Sequence, residues 1–290
     1  MMIPALNAWA GPGANWRNGW RLDGPAAPIP AQRAAGAQAP TLAVLTLEGA
    51  GDRRWQARVD NRLAGPVQIE LRPATGAAAL PGLPVQAVVA ASARIVVPGL
   101  QPPAGSTAIG LALTAVPGAP GARPQDVPYQ LPFDAARIQV SQAPQGRFSH
   151  TDAENRDAID FALPEGTPVL AARAGTVMQV QAGFQGNGQD REHDLGRANL
   201  VRVLHEDGSM AVYAHLQHNG ALVRQGQQVQ AGQRIGLSGN TGFSAAPHLH
   251  FAIQVNAGMR LRSIPARIVS PQGELHFART ADETGASALP

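Results

Sequence analysis

The sequence predicts an all-β protein. From Thr41 onward the apolar residues come in short alternating runs, and Gly/Pro turns divide those runs in a chain with 32 Gly and 25 Pro. Apolar side chains at every second position share one face of an extended strand, and Gly and Pro supply the backbone angles that turns need. In Val67-Gln68-Ile69-Glu70-Leu71 the apolar side chains fall on one face and the polar ones on the other.

At 290 residues the chain has room for about two domains, each able to bury a core. A hydrophobic content of 44% places it among globular proteins. All 23 basic residues are Arg, and the net charge of +3 gives no field strong enough for nucleic acid, so no nucleic-acid partner is expected. No stretch approaches the ~20 continuous apolar residues of a transmembrane segment. There is no Cys, so no disulfide reports the compartment. Met1-Met2-Ile3-Pro4 lacks the charged start and apolar core of a signal peptide, and the expectation is a mature form whose leader has been removed.

Residues 1–40 carry Trp9, Trp16 and Trp20 among Gly, Pro, Ala and Asn with neither strand nor helix period. They read as an irregular arm, pinned to the body by its indoles or laid over a functional site to restrain it. Over 41–135 the runs Leu42–Leu47, Trp55–Val59, Val67–Leu71, Val85–Val89, Ile95–Val97 and Thr107–Thr114 read as strands. Their spacing predicts an antiparallel β-sandwich, Ig-like in outline, with Arg53, Arg54 and Asp60 as solvated strand ends. Gly118–Pro128 reads as a loop. A second domain over 136–270 continues with Ile138–Val140, Ala158–Ala162, Val169–Ala171, Gly175–Ala182, Leu200–Leu204, Ser209–Ala214, Ile235–Ser238 and His250–Val255. Phe184–Arg197 is a polar insertion long enough to rim a cleft. The tail, 271–290, keeps one run, Glu274–Phe277, before a small polar end.

Chemistry concentrates in Ser238–Phe251, SGNTGFSAAPHLHF. His248 and His250 lie at i and i+2 of a strand, so both rings face the same way. His150, Asp160 and His215 lie in other segments. Imidazoles and a carboxylate are the usual ligands of a catalytic zinc with an open position, and the chain offers that set with histidines to spare for acid/base work. Tyr213, two before His215, shares its face on a regular strand and either reaches the site or joins the core. His193, His205, His218 and His276 read as turn or surface residues.

The order His150…Asp160-Phe161-Ala162-Leu163-Pro164-Glu165-Gly166-Thr167-Pro168-Val169, Tyr213-Ala214-His215-Leu216, Gly239-Asn240-Thr241-Gly242 and Pro247-His248-Leu249-His250-Phe251 resembles the lysostaphin-type (LytM-like) zinc metallopeptidases. The resemblance covers about residues 137–268. It implies an antiparallel β-sheet peptidase domain behind the sandwich, with Zn2+ held by His150, Asp160 and His250 and with His215 and His248 as the acid/base pair. It implies a peptidoglycan peptide as substrate and a periplasmic or secreted location; nothing in it sets the oligomeric state. One departure stands out: nine residues separate His150 from Asp160, where most of the family has three. Asp152, Glu154 and Asp157 in that gap offer other carboxylates, while the AIDFALPEGTPV frame favours Asp160. Two alternatives carry different functions: an inactive peptidase-fold protein that binds wall or activates another hydrolase, and an adhesion protein whose sandwich does the binding.

Overall fold

The computed structural model describes residues 41–51, 54–102, 104, 108–134 and 137–277. The arm with Trp9, Trp16 and Trp20, Arg53, and the end from 280 to 290 lie outside the described residues. The described chain is nearly all β, as expected. Its helical content is one turn, Arg191–Asp194, running into a 3₁₀ turn, Leu195–Arg197. Both fall in the polar insertion that read as a loop, and the Asp190 side chain caps them by accepting from the backbone of Glu192 and His193.

Residues 43–117 form two three-stranded antiparallel sheets. One has the order Ala43–Gly49, Trp55–Asn61, Arg94–Leu100; the other has Val85–Val89, Val67–Pro73, Leu111–Pro117. Their inward residues, among them Ala57, Val59, Val67, Ile69 and Leu71, close one apolar cluster. The last of these strands runs beyond Thr114, because its pairing with Val67–Pro73 extends from Pro73–Leu111 to Gln68–Val116.

The second part is built on a ten-stranded sheet. Its main path runs Gln228–Val229, Gly175–Gln181, Asn199–Leu204, Met210–Ala221, His248–Asn256, Ile159–Ala162, Val140–Gln142. In the central strand Leu249, Phe251 and Ile253 face the main core, where Tyr213, Phe161 and Phe133 join them. Phe133 meets Phe161 edge-on at 5.1 Å, and Tyr213 tilts against Phe251 at 5.3 Å. Burying each such ring stabilises the fold by about 1.5–3 kcal/mol. Tyr213 is thereby a core residue, its hydroxyl accepting from the Ala172 amide at 2.7 Å.

The opposite face of this sheet changes character along the strands. At one end Met178, Met210 and Leu204 pack into the cluster of the N-terminal sheets. At the other, Ala214 pairs with His250 and His250 with Asp160. That end carries the histidines.

Candidate metal centre

His248–Asn256 is flanked on both sides, and its register puts His250 directly across from Asp160. Cross-strand partners point to the same face, so the sheet itself brings carboxylate and imidazole together. His250 Nδ1 lies 2.9 Å from Asp160 Oδ1. His150 arrives from outside the sheet on the long turn after Val140–Gln142, with its Nε2 at 3.2 Å from the same oxygen. The nine intervening residues make a folded turn whose carbonyls are tied to the sheet: Ser263 donates to Ala153, and Gln254 Nε2 donates to Glu154. Extra loop length costs little closure entropy, and these bonds fix the return path. Of the carboxylates near that turn, it is Asp160 that meets both histidines.

His150, Asp160 and His250 form a group whose ligand atoms all lie within 4.8 Å of one another, and all three are buried. A tetrahedral zinc with bonds of about 2.0–2.1 Å separates its donors by roughly 3.3 Å. The 2.9 and 3.2 Å separations are close to that spacing, and the donor set, two imidazoles and one carboxylate, suits zinc. His150 donates from Nδ1 to the Ala143 carbonyl at 3.0 Å, which fixes its tautomer and leaves Nε2 facing the carboxylate.

His215 reaches the same place by an irregularity. Asn199 pairs with Leu216 but Leu200 with Ala214, so His215 is the extra residue of a β-bulge, with φ of 60°. On a regular strand it would share the core face with Tyr213; the bulge turns it to the face of Ala214 and His250. The ring then lies 4.5 Å from that of His248 and 5.9 Å from that of His250, centroid to centroid. His215 donates from Nδ1 to the Thr241 carbonyl at 2.7 Å, and His248 donates from Nδ1 to the Ala246 carbonyl at 2.8 Å. Each Nε2 remains for chemistry, that of His248 at 3.9 Å from Asp160 Oδ1.

The electrostatics divide the cluster. Burial favours a neutral Asp160, but hydrogen bonds from His150 and His250 and the charge around it hold the carboxyl well below its usual range. Burial pulls His150 down, and the hydrogen bond and charge of Asp160 outweigh it, so its pKa ends raised. Burial pushes His215 down to about 3, helped by its histidine neighbours, and burial likewise lowers His248. Both are neutral imidazoles at neutral pH, each with an unprotonated Nε2.

The remaining histidines lie away from the centre. His193 pairs with Asp194 on the insertion, His218 contacts the Phe184 carbonyl, His276 is exposed, and His205 is buried against Tyr129. The carbonyls of Ala143, Thr241 and Ala246, which set the three tautomers, have no sequence signature, since every residue carries one. The rim adds a stack missed in the sequence: Phe148 on Phe243 at 5.6 Å, with Arg191 over the Phe243 ring.

Comparison with known proteins matches residues 154–261 to Peptidase family M23. That stretch includes Asp160, His215, His248 and His250; His150 stands four positions before it. An uncharacterized metalloprotease of Haemophilus influenzae is 41% identical over 98 residues, 34% of this chain and 18% of that protein. The peptidoglycan DD-endopeptidase ShyA of Vibrio cholerae is 39% identical over 112 residues, 39% of this chain and 23% of that one. The solved catalytic domain of lysostaphin from Staphylococcus simulans is 33% identical, with a TM-score of 0.29, covering 40% of this chain and 78% of that one. The similarity thus spans about a fifth of the length of the two full-length relatives.

Proposed function

We propose that this chain, which carries a peptidase family M23 domain, is a zinc-dependent endopeptidase that hydrolyses peptide bonds of bacterial peptidoglycan. The observation that carries the reading is the convergence of His150, Asp160 and His250 on one point, with two neutral histidines beside it. A relative named as a peptidoglycan DD-endopeptidase supports the substrate class. Such a substrate puts the protein in the periplasm or outside the cell. No helix among the described residues is long and apolar enough to cross a membrane.

In this reading His150 Nε2, His250 Nδ1 and the Asp160 carboxylate hold the zinc. When bound, the metal supplies a Lewis acid that polarises the scissile carbonyl and acidifies a water. The chain's own part is to orient and to move protons. Ala143 and the sheet register aim the ligands, and Thr241 and Ala246 aim His215 and His248. A neutral Nε2 of this pair accepts the proton of the attacking water, and the resulting imidazolium returns it to the leaving amine. The geometry leaves the pair symmetric in this respect, so the roles of base and acid are assigned to it jointly.

The test is release of free amino groups from purified peptidoglycan by the full chain, with and without a chelator. Hydrolysis that a chelator stops and zinc restores supports the peptidase. Binding to the wall with no amine released after zinc is supplied would instead select the inactive, wall-binding alternative.

A further inference from the structure

The sheet face that carries the histidines opens into a cavity of about 660 Å³. Its lining includes Leu200 and Arg202 from the sheet, Val116 and Pro117 from the N-terminal part, Glu154 from the turn after His150, and Leu261. Val201 and Val203 are fully buried in the main core, so strand alternation sends the Arg202 side chain to the histidine face.

Arg202 is a buried cation, 5% exposed, whose hydrogen-bond partners are both neutral. It donates from Nε to Gln179 Oε1 at 3.2 Å and from Nη1 to Gln254 Oε1 at 2.6 Å. Among the described residues it makes no ion pair. The Glu154 carboxylate, which also lines the cavity and lies 3.5 Å from Gln254 Nε2, acts on it through space, and the Asp152 carboxylate on the same wall accepts from Asn155. Burying a charge without a direct ion-pair partner costs free energy, and burial pulls the guanidinium down to about 10, against the raising effect of Glu154. An anion entering the cavity offsets that cost.

We propose that this cavity is a substrate subsite in which Arg202 binds a carboxylate of the peptide being cut. The proposal rests on the peptidase reading of the metal centre. His250 pairs with Ala214, Ala214 with Leu200, and Arg202 lies two residues beyond Leu200. With strands ~4.8 Å apart and ~3.3 Å per residue, Arg202 is roughly 12 Å from His250 along the face. An extended peptide covers that distance in about three or four residues, so the recognised carboxylate lies that far from the scissile bond. The guanidinium fork suits a carboxylate, and Leu200, Val116 and Leu261 suit the aliphatic chain beside it.

The test titrates the full chain with acetyl-trialanine bearing a free carboxylate and with its carboxamide, following the Arg202 Nε–H resonance by NMR. The carboxylate form should shift that resonance and bind about tenfold tighter than the amide, the size of a charge-assisted hydrogen bond. Arg202→Gln should bring the two affinities to within about twofold. Because Arg202 is buried and that variant can fail to fold, Leu195→Trp, at an exposed cavity-lining position, provides the second case and should abolish the preference too. Equal affinities in the wild type, or a preference that survives in both variants, overturns the subsite. Binding is read without any bond being cut. A chain that prefers the carboxylate yet hydrolyses nothing therefore counts against the peptidase reading alone. A chain that hydrolyses wall equally well before and after its free carboxylates are amidated counts against the subsite alone.

Discussion

At the scale of residues, five side chains meet in the proposed site. His215 sits at φ of 60°, which costs a non-glycine residue about 1 kcal/mol or more, and the bulge that imposes it also points the ring at the site. His215→Asn, a residue that tolerates this conformation, should keep the fold and about one bound zinc while hydrolysis falls by roughly 10²-fold or more. Loss of zinc in that variant would make His215 a ligand instead. His150 gives a pH prediction. Burial lowers its pKa and the Asp160 interactions outweigh that, so the metal-free protein keeps this proton above the ordinary value of about 6.5. Zinc must displace it, so affinity is full at high pH and falls as pH drops through the raised value. Competition with a chromophoric chelator at about pH 8 and 6 measures this; an affinity that does not weaken on acidification would remove His150 from the ligand set.

At the scale of elements, the legible part of the site is the part that strand period encodes. The i, i+2 spacing of His248 and His250 and the frame around Asp160 placed both on strands facing the same way, and the register joins them. What strand period could not encode was the bulge: a regular reading puts His215 and Tyr213 on one face, whereas the extra residue sends them to opposite faces. The nine-residue gap before Asp160 was also opaque, because its path depends on Ser263 and Gln254, about a hundred positions away. Turns give a further test. A Cβ at Gly242 would meet the Ala198 amide nitrogen at 2.5 Å, at a φ of 80°. Gly242→Ala should destabilise the protein by more than about 2 kcal/mol in denaturant unfolding, and a neutral effect would contradict the described turn. The Asp207 turn responds to acid. Burial raises its carboxyl, but hydrogen bonds from Ser209, Arg173 and Gln125 hold it well below the usual range. Its contribution is present above pH ~3.9 and is lost as pH falls through the folded value. Asp207→Asn should therefore be less stable than wild type at neutral pH, with the gap closing in acid.

At the scale of the whole molecule, the all-β class was readable from alternating runs and turn residues, but the way the two parts meet was not. The N-terminal sheets cover one end of the histidine-bearing face, taking Met178 and Met210 into their own core. The Asn256 side chain donates to the Gly118 carbonyl, and Gln225 donates to the Arg62 carbonyl, across the same junction. A methionine in a strand carries no mark of which core it joins, and a cavity walled by both parts has no sequence motif at all. Met210→Ala should cost about 2–5 kcal/mol, as a fully buried side chain does. Removing the N-terminal sheets should expose Met178 and Met210 and lower the melting temperature of what remains. An unchanged melting temperature would mean that the second part stands alone.

The claim on which all scales depend is that His150, Asp160 and His250 hold one zinc that the chemistry requires. Elemental analysis of the wild type beside Asp160→Ala and His250→Ala, with peptidoglycan hydrolysis on the same samples, tests it most directly. About one zinc per chain in the wild type, lost together with hydrolysis in both variants, is the predicted result. Wild type that takes up no zinc when it is supplied, or variants that keep zinc and activity alike, would contradict the account.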